Sequence, residues 1–128
     1  MKKTGLFFVF ILTLSQLLQS QNVPSAFNYS AVARDGAGTL VTNQAIALQM
    51  SILQSTAVGS LVYQETHNVS TDDYGLFNLL IGSGAIQQGA FSSINWAGDS
   101  YYLKIEMDIT GSPENSKDKL AIKCYKMY

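Results

Sequence analysis

The chain has 128 residues, with eight lysines and arginines against nine aspartates and glutamates, one histidine and one cysteine. That length predicts a single domain with appendages. A lone cysteine excludes an intrachain disulfide, and bases scattered until the last dozen residues exclude a polyanion-binding face, so nucleic acid is not an expected partner.

Residues 1–20 have the three parts of a secretory signal: Lys2 and Lys3, an apolar run from Gly5 to Leu14, and a more polar stretch ending at Ser20. The alternative, a retained anchor, needs about 20 apolar residues, and the run is shorter. No later stretch is apolar enough to span a membrane. Cleavage near Ser20 leaves nine acids against six bases, a net charge of −3. The expected location is secreted or on the outer cell surface, with the periplasm as the alternative.

After a polar leader, Phe27 to Arg34 reads as a first strand, with Phe27, Tyr29, Ala31 and Ala33 on one face. Asp35-Gly36 and Gly38 mark a turn, and Thr39 to Val41 starts a short return strand. Gln44 to Leu53 alternates, placing Ile46, Leu48, Met50 and Ile52 together. Leu61 to Thr71 alternates too, but neither face is wholly apolar, which predicts an edge strand whose charges discourage stray pairing. Leu76 to Ile81 has Phe77, Leu79 and Ile81 on one face and Leu76 and Leu80 on the other, which predicts a central strand.

Gly82 to Gly89 reads as a glycine-rich loop, and Phe91, Ile94 and Trp96 as a lid over one end of the core. Tyr101 to Ile109 is the clearest half-buried strand, with Tyr101, Leu103, Ile105, Met107 and Ile109 facing one way. The expected division is a signal peptide over 1–20, a β-sandwich domain over 21–110, and a polar loop with a short final strand or degenerate tail over 111–128. The fold class is all-β: a small antiparallel β-sandwich, immunoglobulin-like or transthyretin-like. A small β-barrel is the alternative.

Few residues suggest chemistry. His67 could act as a general base beside Glu65 on the same strand face, but no motif marks a nucleophile or an orienting acid. A zinc site needs three or four ligands, whereas the chain offers one histidine and a distant cysteine. Asp72 and Asp73 lack the longer calcium-loop pattern, and a capped turn explains them better. Gly82, Gly84 and Gly89 do not form a phosphate loop and read as bends. No catalytic residue, metal or cofactor is expected. Tyr74, Trp96 and Tyr102 are the candidate surface contacts, since aromatic side chains serve protein interfaces and glycan platforms. Cys124 is the candidate intermolecular thiol.

Several landmarks together resemble a known group: Phe27-Asn28-Tyr29, Ala31-Val32-Ala33-Arg34-Asp35, Tyr63-Gln64-Glu65, Tyr74-Gly75-Leu76-Phe77, Ile94-Asn95-Trp96 and Leu103-Lys104-Ile105-Glu106. They are similar to the N-terminal β module of secreted and cell-surface proteins of the Bacteroidetes, which often precedes stalk, repeat or tail-fibre-like regions. The resemblance covers roughly Ala26 to Asp108 and implies no catalytic group. Such modules usually end in a strand leading onward, whereas this chain reads Leu120-Ala121-Ile122-Lys123-Cys124-Tyr125 and stops shortly after, as a truncated front end would.

The expected function is therefore a non-catalytic structural or protein-interaction module, meeting the same or a neighbouring chain through an exposed β edge. A carbohydrate-binding or adhesive module, with a glycan as partner, is the first alternative. A small hydrolase is the second.

Overall fold

The computed structural model describes residues 25–111 and 120–127, with residues 120–124 by backbone alone. Residues 1–20, read above as a signal, the leader over 21–24, most of the polar loop and the side chain of Cys124 lie outside the described residues. Among the described residues, seven strands form two antiparallel sheets: β1 (Phe27–Val32), β2 (Ala45–Gln54), β3 (Ser60–Ser70), β4 (Leu76–Ile81), β5 (Ala85–Gln88), β6 (Tyr101–Asp108) and β7 (Leu120–Lys126). One sheet has the order β5-β3-β2-β6-β7, and the other holds only β1 and β4. The sheets lie face to face as a sandwich and do not close into a barrel.

Period-two alternation places the core. Ile46, Leu48, Met50 and Ile52 of β2 and Leu103, Ile105 and Met107 of β6 are buried, and they meet Phe77, Leu79 and Ile81 of β4. Phe27, Tyr29 and Ala31 of β1 pack against the same cluster. Each fully buried side chain of this size contributes about 1.5–3 kcal/mol. The outer face of β2 is also covered: Ala47 and Ser51 are buried although one side of their sheet faces away from the core. They are small, and longer neighbours shade them; Gln64 donates to Ser51 Oγ at 3.1 Å, and Gln49 to Glu106 at 3.0 Å.

Phe91, Ile94 and Trp96 close one end as the sequence predicts. Phe91 sits in a single 3-10 turn, Phe91–Ser93, and its ring lies 5.9 Å from Phe27, 5.4 Å from Tyr63 and 5.5 Å from Trp96. Trp96 continues the chain of rings to Tyr101 at 5.2 Å. Offset and edge-on arrangements of this kind suit the ring quadrupoles.

Four expectations are corrected. The segment predicted as an edge strand is β3, which lies between β5 and β2; its charged residue Glu65 points inward and is 0% exposed. The segment predicted as central is β4, which among the described residues pairs with β1 alone. The glycine-rich loop contains a strand, β5, which pairs with Gln64, Glu65 and Thr66. The return strand at Thr39 to Val41 shrinks to one bridge between Arg34 and Leu40. Two of these share a cause: alternation records which face is buried, but not how many neighbours a strand has along its edges.

Candidate functional site

The residues with the most chemical potential stand at alternate positions on the inner face of β3: Tyr63, Glu65 and His67. An ionised carboxylate at 0% exposure is costly unless its charge is met by hydrogen bonds. Here four donors meet it. Oε1 accepts from His67 Nε2 at 2.9 Å and from the Gly82 N–H at 2.8 Å. Oε2 accepts from the Tyr63 hydroxyl at 2.8 Å and from the Gly84 N–H at 2.7 Å. Because an ionised carboxylate only accepts, His67 presents its Nε2–H, which fixes the tautomer or the protonated form on that side.

Burial alone pushes the Glu65 carboxyl up. The hydrogen bonds from His67, Gly82, Tyr63 and Gly84 together outweigh it, and the net shift is below the ordinary carboxylate value. The Tyr63 phenol moves the other way. Burial raises it first, and its bond to the Glu65 carboxylate and the charge there raise it further.

Local sequence explains why the two glycines serve as donors. Gly82 ends β4 with φ near +103°, a conformation open to glycine. Gly84 enters β5 so close to β3 that a Cβ would stand 2.5 Å from His67 Nε2 and 2.8 Å from the Thr66 carbonyl oxygen. The chain thus passes from one sheet to the other through a Gly-Ser-Gly turn whose amides grip a carboxylate. Gly84→Ala is expected to cost about 2–3 kcal/mol, as overpacking against backbone does. A thermal melt measures this, and an unchanged midpoint would show that the turn can relax.

What can this cluster do? The carboxylate has about four lone-pair sites, and four donors occupy them. It holds β3, β4 and β5 together and keeps no free acceptor for a substrate proton. Among the described residues, no group of three or more His, Cys, Asp or Glu side chains could hold a metal ion. Asp72 caps its own turn, its Oδ1 accepting from the Tyr74 and Leu76 N–H groups at 2.8 Å each. Asp73 accepts from Asn43 Nδ2 at 2.8 Å.

The three candidate contact residues are not gathered. Tyr74 is 76% exposed on the turn between β3 and β4. That turn is tied to the start of β2, where Asn43 N–H donates to the Asp72 carbonyl. Trp96 is half-buried against Tyr101, which pairs with Gln54 at the far end of β2. About 30 Å of extended strand separates the two ends. Tyr102 is half-buried on the outer face of the five-stranded sheet, opposite Leu53 and Lys126. Cys124 contributes its backbone to the pairing with Lys104 in β6.

The exposed apolar surface lies elsewhere. Among the described residues, eight large apolar side chains are exposed, and five of them cluster on or beside the outer face of the β1–β4 sheet. Val32 pairs with Leu76 across the sheet, and Leu80 follows on the same face of β4. Leu40, across from Arg34, and Tyr74 stand at the margin. The remaining outward positions are Asn28, Ser30 and Asn78, and Ser30 Oγ donates to Asn78 Oδ1. None of the six outward side chains of the two strands is charged. In the sequence Leu76 and Leu80 point to a central strand, not to an exposed face; Val32 and Leu40 carry no signal of their own.

A family model described as a domain of unknown function, DUF8740, matches residues 28–120. The chain matches no curated protein and no solved structure.

Proposed function

The chain belongs to the DUF8740 family, and we propose that its domain is a non-catalytic protein-interaction module that works through the two-stranded sheet. The observation that carries this reading is the outer face of that sheet. Val32, Leu76 and Leu80 are 46%, 39% and 45% exposed on a face whose other outward side chains, Asn28, Ser30 and Asn78, are uncharged, and large apolar side chains exposed together in this way suit a contact site. Among the described residues, β1 pairs only with β4, so both edges of the sheet also offer backbone groups for strand addition. The saturated Glu65 supports contact over catalysis, since the one Glu–His pair of the described residues is consumed in holding the fold. The separation of Tyr74 from Trp96 gives a glycan platform no support.

The same reading places the module outside the cytoplasm, at the surface or secreted, on the strength of the signal-like first 20 residues and the resemblance to Bacteroidetes surface proteins. The test is site-specific photocrosslinking in the organism that encodes the chain. A photoreactive residue at Leu80 is expected to form protein adducts, and one at Val58, 93% exposed on the β2–β3 hairpin, is not. No adduct at Leu80, or the same yield at both sites, would overturn the proposal.

A further inference from the structure

We infer that the vacant place beside β1 takes an extended segment of another protein, which joins the two-stranded sheet as a third strand. The inference rests on the interaction-module reading and adds the edge and the chemistry of the partner. In an antiparallel ladder, successive residues turn their backbone N–H and C=O groups alternately towards the neighbouring strand and away from it. The Ala33 N–H donates to the Gly75 carbonyl at 2.8 Å, one step beyond the pairing of Val32 with Leu76. Ala31, Tyr29 and Phe27 therefore turn towards β4 as well. Asn28, Ser30 and Val32 turn their backbone groups to the free edge. Among the described residues no strand pairs with that edge, and all three residues are exposed.

The second edge of the sheet, that of β4, is largely closed. At one end the Asp72 N–H donates to the Leu76 carbonyl at 3.0 Å, and Asp72 Oδ1 accepts from the Leu76 N–H at 2.8 Å. At the other end the Ser83 N–H and hydroxyl donate to the Leu80 carbonyl at 3.3 and 2.9 Å. An incoming strand would find only Asn78 and the Leu80 N–H. The β1 edge instead offers an N–H and a C=O from each of its three outward residues. They repeat at every second residue, a spacing that an extended backbone matches.

What lies beneath the vacant place sets the side chains of the partner. Gly82, just past β4, donates to Glu65 of β3, so β4 stands over β3. On the other side Tyr29 of β1 shares a side-chain hydrogen bond with Tyr125 of β7, so the free edge of β1 looks towards β7. Tyr125 pairs with Leu103, on the inner face of the five-stranded sheet, yet it is 44% exposed. A strand added to β1 would lie over it. The inward side chains of that strand, at alternate positions, meet the Tyr125 and Tyr29 rings and are apolar. Its outward side chains continue the rows of Asn28 and Ser30 and are polar. The partner segment thus has the alternating pattern of a half-buried strand.

The test is amide hydrogen exchange by NMR on the chain from Gln21 onward, which holds every described residue. The probe is a short peptide alternating valine and threonine between terminal lysines. The Asn28, Ser30 and Val32 amides are expected to slow at least tenfold when it binds, while Asn78 and Leu80 do not change. Ser30→Pro removes the central outward N–H and spares the pairing with β4, as proline on the open side of an edge strand does. It should weaken binding at least tenfold with an unchanged far-ultraviolet spectrum. A probe N-methylated at alternate residues, which needs no change in the protein, should not bind. Slowed exchange at Asn78 and Leu80 alone would overturn the edge assigned here. No slowing up to millimolar probe, or equal binding of the methylated probe, would overturn strand addition. The interaction-module reading would still stand or fall on crosslinking at Leu80.

Discussion

Replacing Glu65 by glutamine is expected to lower the unfolding free energy by about 3 kcal/mol, within the range for breaking a buried charged hydrogen-bond set. Glutamine keeps the shape but offers one oxygen and one NH2 group. Whichever way the amide turns, its NH2 group faces a backbone N–H that cannot accept, that of Gly82 on one side or of Gly84 on the other. Urea unfolding would show the loss as a lower midpoint at constant slope.

The same residue sets an acid limb. Its folded-state pKa lies below the ordinary 4.5. The unfolded chain therefore takes up a proton before the folded one does. Glu65 contributes its full stabilisation above pH 4.5, and that contribution is lost as pH falls through the folded value. Wild type should therefore lose stability more steeply below pH 4.5 than Glu65→Gln. Parallel limbs for the two proteins would show that the carboxylate is not the group responsible.

Phe91→Ala should cost about 3–5 kcal/mol, the usual range for removing a buried phenylalanine. Phe91 meets Phe27 of one sheet and Tyr63 of the other, and Trp96 beside them. Its removal opens a cavity where both sheets and the closing segment converge, and a backbone in a 3-10 turn is poorly placed to fill it. Trp96 is the chain's one tryptophan, so its fluorescence reads the site directly. A red-shifted emission in the folded variant is expected together with the loss of stability. Full stability with an unshifted spectrum would mean that the segment is held by its backbone and not by the ring.

How far did the sequence reach? It marked the inner faces of β2, β4 and β6 correctly, because period-two alternation responds to burial and burial is what positions those side chains. It identified Phe91, Ile94 and Trp96 as a closure for a related reason, since isolated apolar residues in polar sequence need something to cover. It failed where the deciding neighbour is remote. Glu65 looked like an edge-strand charge because its donors Gly82 and Gly84 lie 17 and 19 residues away, and backbone N–H groups leave no mark in a sequence. Gly82 and Gly84 were read as bends. Their conformational role was legible, but their role as anion donors needed Glu65 in space. Leu76 and Leu80 on the second face of their strand predict a central position, whereas that face is exposed. An apolar residue that awaits a partner chain is written in the same letters as one already buried.

Strand pairing in this molecule spans very different stretches of chain, and that orders its assembly. The β2–β3 hairpin closes over the short connection between Gln54 and Ser60. The β1–β4 ladder must bring Phe27 to Ile81, and β6 must return to β2 from a similar distance. Loop closure over such separations is entropically unfavourable until the contacts form, so non-local ladders follow local ones. The two-stranded sheet is thus a latecomer, and until it docks, the greasy side of the larger sheet is open to water and to other nascent chains.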